Sequence, residues 1–382
     1  MHRHFSIILC TAVAILLVLG LTMLESTGNW VKDTEPHQFL ILQSKWVGVG
    51  LVFALVAAYL PLEKLRKFAI PAMVITCIML ALCFVPGVGS EIYGSKRWVK
   101  IPGLTSFQPS EIAKLVVVFC LACWFARWPT ETRSFWRGFV LPGVIAAIPV
   151  GLIAAETDVG TALSLSVAIA AIFFTVGTRL IYLVPIALLG MSAAFLYIRY
   201  DAVRWKRIEA WLDLENPIHQ LDRGMQQWRA LLALGNGGPW GVGLGNGNEK
   251  FGTLTFAHID FIFPVIGEEL GLFATLGVVC CYFIITLTGF GIAIQAKSVL
   301  ERCMALGLTC IIAVPAMVNI AVTTATFPND GLPLPFISYG GTSVVFSLVA
   351  VGLLVGIHRR NLVRPERAEF LITPETRLAV KL

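Results

Sequence analysis

Charge is what this chain has least of. Asp, Glu, Lys and Arg make up 14% of its 382 residues, against about 25% in a soluble globular chain. With 57% hydrophobic residues and a mean hydropathy of +0.80, there is too little polar surface to face water. That excludes a soluble enzyme and leaves a polytopic integral membrane protein. The net charge of +6 marks neither an acidic tail nor a nucleic-acid partner. A disulfide framework is missing too: the nine cysteines are odd in number and lie inside apolar runs, where free Cys packs as a small hydrophobe. The "CLAC" at 120–123 sits among Val, Phe and Leu and reads as packing. There is no soluble domain and no repeat of fixed period. The first apolar run is too long for a leader's core, and no small-residue cleavage site follows, so it reads as a span.

What is present is apolar length. A bilayer requires about 20 mostly apolar residues per helix, and the sequence predicts ten spans. These fall near 5–24, 46–62, 69–86, 111–127, 138–155, 160–178, 180–198, 261–294, 303–325 and 338–357. An all-α fold with both termini on one side follows. The basic short loops, such as "EKLRK" at 63–67, and the tail from residue 358 to 382 fall on the terminal side, which the positive-inside rule assigns to the cytoplasm. The whole chain, 1–382, reads as one transmembrane domain with a large outer loop over about 199–259. Part of that loop is glycine-rich, "GNGGPWGVGLGNGNEK", and irregular backbone at such a place is tolerated only where protein buries it or it lines a cavity.

Polar residues gather at the outer face. "GSKRWVKIPG" carries Lys96, Arg97 and Lys100 against the charge rule for that side. Glu111 and Lys114 open the fourth span; Glu156 and Asp158 lie in "AETDVGTA"; the long loop adds Arg207, Lys250, His258 and Asp260. Cations at that level suit a phosphate or pyrophosphate head group, and an acid beside them suits a general base. Simpler readings stand next to these. The basic residues can snorkel to the interface, Glu111 and Lys114 are three apart and can pair, and Glu156, Asp158 and Asp260 can serve helix N-termini. Glu268 and Glu269 lie roughly 12 Å along the helix from Asp260, too deep for a cap, and call for polar partners. "FPNDGLPLPFISYGGTS" at 327–343 reads as an ordered turn.

Taken in order, "GSKRWVKIPGLTSFQPSEIAKL", "ETDVGTAL", "GNGGPWGVGLGNGNEK", "AHIDFIFPVIGEELG" and "NDGLPLPFISYGGTSVV" resemble the SEDS (shape, elongation, division, sporulation) family over nearly the whole chain. "GEELG" with "GLPLPF" looks closer to its division branch than to its elongation branch. The chain departs from the family pattern around the acid, reading "LTFAHIDF" where the family commonly has "LPEAHTDF", and it has Glu249-Lys250 and Glu156-Thr157-Asp158 at two other motif positions.

The resemblance implies a peptidoglycan glycosyltransferase acting on lipid II in the bacterial cytoplasmic membrane, at the division septum. It implies a class B penicillin-binding transpeptidase and divisome membrane proteins as partners. Asp260 matches the family's essential aspartate and is the expected general base. Lys96, Arg97, Arg207 and Lys250 are expected to hold the leaving pyrophosphate. Glu111, Lys114, Glu156, Asp158, His258 and Ser338 are expected as further substrate-binding positions. No motif demands a cofactor, and a divalent cation, Mg2+ or Mn2+, is left open as a helper. Two other readings remain: a flippase for lipid II, and a scaffold that activates the transpeptidase. A flippase calls for charge along a transmembrane route, whereas the charged residues cluster at the outer face.

Overall fold

A computed structural model describes residues 4–28, 37–92, 95–99, 107–251, 254 and 256–363. Lys100, Thr255 and the tail from 364 lie outside the described residues. Among those described, nine helices are long and apolar enough to cross a bilayer: Phe5–Gly28, Gln38–Tyr59, Leu62–Leu82, Pro109–Arg127, Trp136–Ala155, Leu180–Tyr200, Ile262–Gln295, Val299–Thr323 and the helix beginning at Gly341. A tenth apolar helix, Val159–Thr175, is shorter. At 1.5 Å per residue it reaches about 25 Å, just under the hydrocarbon thickness. These match the ten expected spans in order, numbered one to ten below.

Three boundaries differ most from expectation: the third span's helical run starts at Leu62 rather than near 69, taking in the 63–67 segment expected as a loop, and the second and tenth differ as follows. The second span begins at Gln38 rather than near 46, because polar Gln43 is buried inside the helix. Its amide donates to Ser338 O and accepts from Gly340 N, which pins the turn before the tenth span. The tenth span runs to Val363, so His358, Arg359 and Arg360 belong to its last turns rather than to a tail. There they find partners: His358 bonds Ser6, Arg359 lies over the Tyr59 ring, and Arg360 binds Glu301 and donates to Leu60 O. The starts of the first and ninth spans and the ends of the second and tenth thus meet at one end of the bundle. The termini of the described chain share a face, and its basic loops assign it to the cytoplasm.

Close helix approach follows from small residues. A Cβ on Gly352 or Gly356 of the tenth span would fall on Ala54 O and Ala58 O of the second. Packing of backbone on backbone is how membrane helices associate without a hydrophobic driving force between them. The sole sheet among the described residues is a hairpin of β1, Gly89–Ile92, and β2, Ser95–Val99. It stands at the outer end between spans three and four, where the sequence suggested only a basic loop.

The outer end is built around a break in the eighth span. Gly271 adopts φ 80°, ψ −175°, a conformation open to glycine and strained for other residues. The glycine-rich segment lies against the break. Val242 N and Gly243 N donate to the carbonyls of Glu268 and Glu269, and Leu272 N donates to Gly238 O. A Cβ on Gly237 would fall on Gly267 O, so glycine permits the approach. Backbone groups freed by the break are satisfied by this irregular segment, which itself stays largely exposed at Gly238, Pro239, Trp240, Val242 and Leu244.

Candidate functional site

Glu268 and Glu269 are the anchors of that segment. Glu268 accepts from Asn248 N at 2.9 Å and from Glu249 N. Glu269 accepts from Gly245 N and from Ser26 Oγ of the first span. Its Oε1 stands 2.6 Å from Lys250 Nζ, which also donates to Gly245 O and Ser26 Oγ. The Lys250 side chain is 1% exposed and that of Glu269 0%. Lys250, expected to meet pyrophosphate, is consumed instead by this inward contact, and three acceptors leave its ammonium no donor to offer. The partners Glu268 and Glu269 required are thus the glycine loop's own backbone and its lysine.

Asp260 lies in the turn that leads into the eighth span. The helix N-cap position is Phe261, and no side chain caps it, so the capping reading of Asp260 does not hold. Its main-chain carbonyl accepts from Asn319 Nδ2 at 2.8 Å, and the same amide donates to Leu332 O at 2.7 Å. Asn319, buried in the last turns of span nine, therefore fixes Asp260 and the 327–343 turn together. Oδ1 of Asp260 is buried with no hydrogen-bond partner among the described residues. Gly331 lies against Oδ2, a Cβ there standing 3.4 Å away. Burial pushes the carboxyl up to about 7, opposed by its own backbone N–H, Arg97 and Arg207. An acid so placed is half ionised near neutral pH, which suits proton abstraction.

The neighbours arrive from separate elements. Arg97 of β2 pairs with Asp158 at 3.4 Å, and its Nε is buried without a partner among the described residues. Asp158 also caps the sixth span through Thr161 N and accepts from Gln108, so both readings of it hold at once. Glu156 is buried beside Cys83 and pushed up to about 8 by burial, with the Cys83 hydrogen bond and Arg97 pulling down and Asp158 adding to the rise. The amphipathic helix Ala202–Leu212 brings Arg204, which pairs with Asp201 at 3.4 Å, and the exposed Arg207, within electrostatic reach of Asp330 and Asp260. Asp330 is held up at about 7 by burial and by Asp158, against Arg204, Arg207 and Arg97.

Not every expected residue joins this mouth. Lys96 lies on β2 with its side chain outside the described residues. Glu111 and Lys114 pair at 3.0 Å inside the bundle and line a small cavity with Ile311 and Phe346. His258 is buried and pushed down to about 4, so it is neutral at pH 7. Its ring packs on Phe39 at 4.6 Å and its carbonyl accepts from Tyr339 N, an orienting role without charge for a phosphate. Ser338 Oγ accepts from Leu334 N and closes its own turn. Among the described residues no three His, Cys, Asp or Glu side chains form a ligand set for a metal ion. Asn319 and Asp330 were missed in the sequence. An amide inside the last turns of an apolar span was the available signal for the first; Asp330 was hidden in a segment that reads as a turn.

A family model of cell cycle proteins, that of FtsW, RodA and SpoVE, matches residues 5–362. A probable peptidoglycan glycosyltransferase FtsW from Trichlorobacter lovleyi is 35% identical, the match covering 93% of each protein. One of the same description from Legionella pneumophila is 34% identical over 92% of this chain and 90% of that protein. Among solved structures, a chain from a peptidoglycan synthase complex that coordinates polymerization and crosslinking matches with a TM-score of 0.78. It is 26% identical and the match covers 93% of this chain and 98% of that one. The rod shape determining protein RodA of Thermus thermophilus matches with a TM-score of 0.68, also at 26% identity, covering 92% and 96%.

Proposed function

This chain belongs to the FtsW, RodA and SpoVE family of cell cycle proteins, and from that premise we propose how its outer mouth works. The protein is a multi-pass membrane peptidoglycan glycosyltransferase, like the FtsW relatives it matches. Its substrate is lipid II, whose disaccharide and pyrophosphate enter at the outer face while the lipid stays in the bilayer. Asp260 takes the proton from the acceptor's GlcNAc 4-hydroxyl as that oxygen attacks the anomeric carbon of the donor MurNAc. The new glycosidic bond forms as the bond to pyrophosphate breaks, inverting the centre, and the electron pair leaves with undecaprenyl pyrophosphate.

Charge builds on the leaving pyrophosphate, and guanidinium groups fixed near it stabilise that charge more than water would. Arg97 and Arg207 fit this role, being the cations that act on Asp260 itself. The carrying observation is the buried, unpartnered Oδ1 of Asp260 beside them. General bases contribute about 10² to 10⁴ in rate, so polymerisation of lipid II by purified Asp260→Ala protein is the direct test. A wild-type rate there would remove the base assignment. FtsW relatives favour a septal, divisome-bound enzyme over an elongation enzyme. A class B penicillin-binding transpeptidase is the partner, as a synthase complex joining polymerization to crosslinking suggests.

A further inference from the structure

The glycine loop that closes the break in the eighth span has an outer surface that is apolar and open. No charged residue occurs between Arg229 and Glu249. Trp240 is 79% exposed and Phe273, just past the break, is 57% exposed. Their rings stand 4.9 Å apart, and Val242 and Leu244 of the same loop are exposed as well. A contiguous apolar patch of this kind marks a surface that something other than water covers. The loop's own backbone is satisfied from within. Gly238 O accepts from Leu272 N and Pro239 O from Phe273 N, while Val242 N and Gly243 N donate to Glu268 O and Glu269 O. Such a backbone can meet an apolar phase without stranding polar groups.

The depth of the patch follows from two helices. At the cytoplasmic end Phe5 lies against Gly291 of the eighth span, beside the Ser6 to His358 contact. From Gly291 to the break at Gly271 the helix rises about 30 Å, the thickness of the hydrocarbon core. The first span gives the same measure independently. From Phe5 to Ser26, which bonds Glu269, it also climbs about 30 Å. Both put the break, and with it Trp240 and Phe273, at the outer edge of the hydrocarbon. Below that edge the exposed residues Leu272, Leu276, Val279, Phe283 and Leu287 continue down the eighth span at helical spacing, so the patch is the upper end of a lipid-facing stripe. Tryptophan gathers at this level because its ring takes the apolar side and its N–H the polar heads.

We propose that Trp240 and Phe273 form an interfacial anchor that seats the glycine loop in the headgroup boundary of the outer leaflet, with phospholipid covering the patch. The loop binds Glu268 and Glu269 of the helix that begins just after Asp260. Holding the loop at one depth therefore holds the mouth level with the lipid heads, where the pyrophosphate of a lipid-linked substrate arrives. That consequence rests on the function proposed above; the covering by phospholipid does not.

The test is fluorine NMR of the full-length protein carrying fluorotryptophan, in phospholipid nanodiscs without a partner. The chain has ten tryptophans, and the Trp240 resonance is the one lost in Trp240→Phe; Trp240→Tyr gives the same assignment if the first variant folds poorly. A nitroxide carried by the phospholipid near the head of its acyl chain broadens that resonance more than a gadolinium chelate in the water does. Equal or greater broadening by gadolinium means an aqueous loop, and broadening by neither means a protein surface over the patch; either result overturns the inference. In the same nanodiscs Trp240→Ser loses rate of lipid II polymerisation relative to Trp240→Phe, and equal rates overturn the link from anchor to mouth. A wild-type protein that makes no polymer removes the proposed function, while the fluorine spectrum still decides the anchor, so the two failures are distinct.

Discussion

Lys250 divides two accounts of the outer end. Replacing it with Met keeps the length of the side chain and removes the ammonium. In the structure that ammonium sits 2.6 Å from Glu269, 2.7 Å from Gly245 O and 2.8 Å from Ser26 Oγ, with both side chains closed to solvent. Its loss leaves a buried carboxylate whose charge is balanced only by Ser26 Oγ and Gly245 N. Breaking one side of a buried pair costs about 3–5 kcal/mol. Replacing both sides, as in Lys250→Met with Glu269→Gln, removes the stranded charge, so the double variant recovers part of the loss. Thermal unfolding in detergent or nanodiscs reads this out: the single variant melts several degrees below wild type and the double variant closer to it. Activity falls with the fold of the glycine loop, not through substrate affinity. A Lys250→Met protein with wild-type Tm and a raised KM for lipid II would refute the brace and return Lys250 to the pyrophosphate.

Three further outcomes follow from the same geometry. Asn319→Leu removes the amide that ties Asp260 O to Leu332 O. It strands two carbonyls at a cost of about 1–3 kcal/mol each, and lowers the polymerisation rate while the protein still inserts. Polymerisation falls as pH drops through about 7, where burial holds Asp260, because the base is ionised only above that value; a rate that is flat from pH 5.5 to 8 contradicts this. A carboxyl whose folded value is raised costs stability as pH climbs from its unfolded value, near 3.8, to its folded one. Asp260→Asn accordingly gains Tm relative to wild type on going from pH 5 to pH 8.

Much of the fold could be read without coordinates because the bilayer imposes it. Apolar length gave the ten spans in order, and the side of the basic loops gave their orientation. The eighth span, at 34 residues, is longer than a bilayer needs, but the cause of its break, Gly271, is one glycine among many apolar neighbours. Asp260 stood out because an acid beside hydrocarbon needs a reason. What stayed hidden was pairing across distance. Lys250 and Glu269 are 19 residues apart and Ser26 lies 243 residues from Glu269, so no periodicity joins them, and a lysine near an anionic substrate looks the same as one bound to a buried glutamate. Glu111 and Lys114 could be read either way, since helical spacing allowed their pairing. Asp330 disappeared into a proline-rich turn because its neighbours Arg97, Arg204 and Arg207 come from other loops.

The account turns on one side chain, and purified Asp260→Asn protein reconstituted with the proposed transpeptidase partner tests it. Asn keeps the shape and cannot accept the proton. The variant should fold, bind its partner and melt no lower than wild type, while making lipid II polymer at least about 10² times more slowly. Glycan strands formed at the wild-type rate by that folded complex would contradict the assignment of Asp260 as the base.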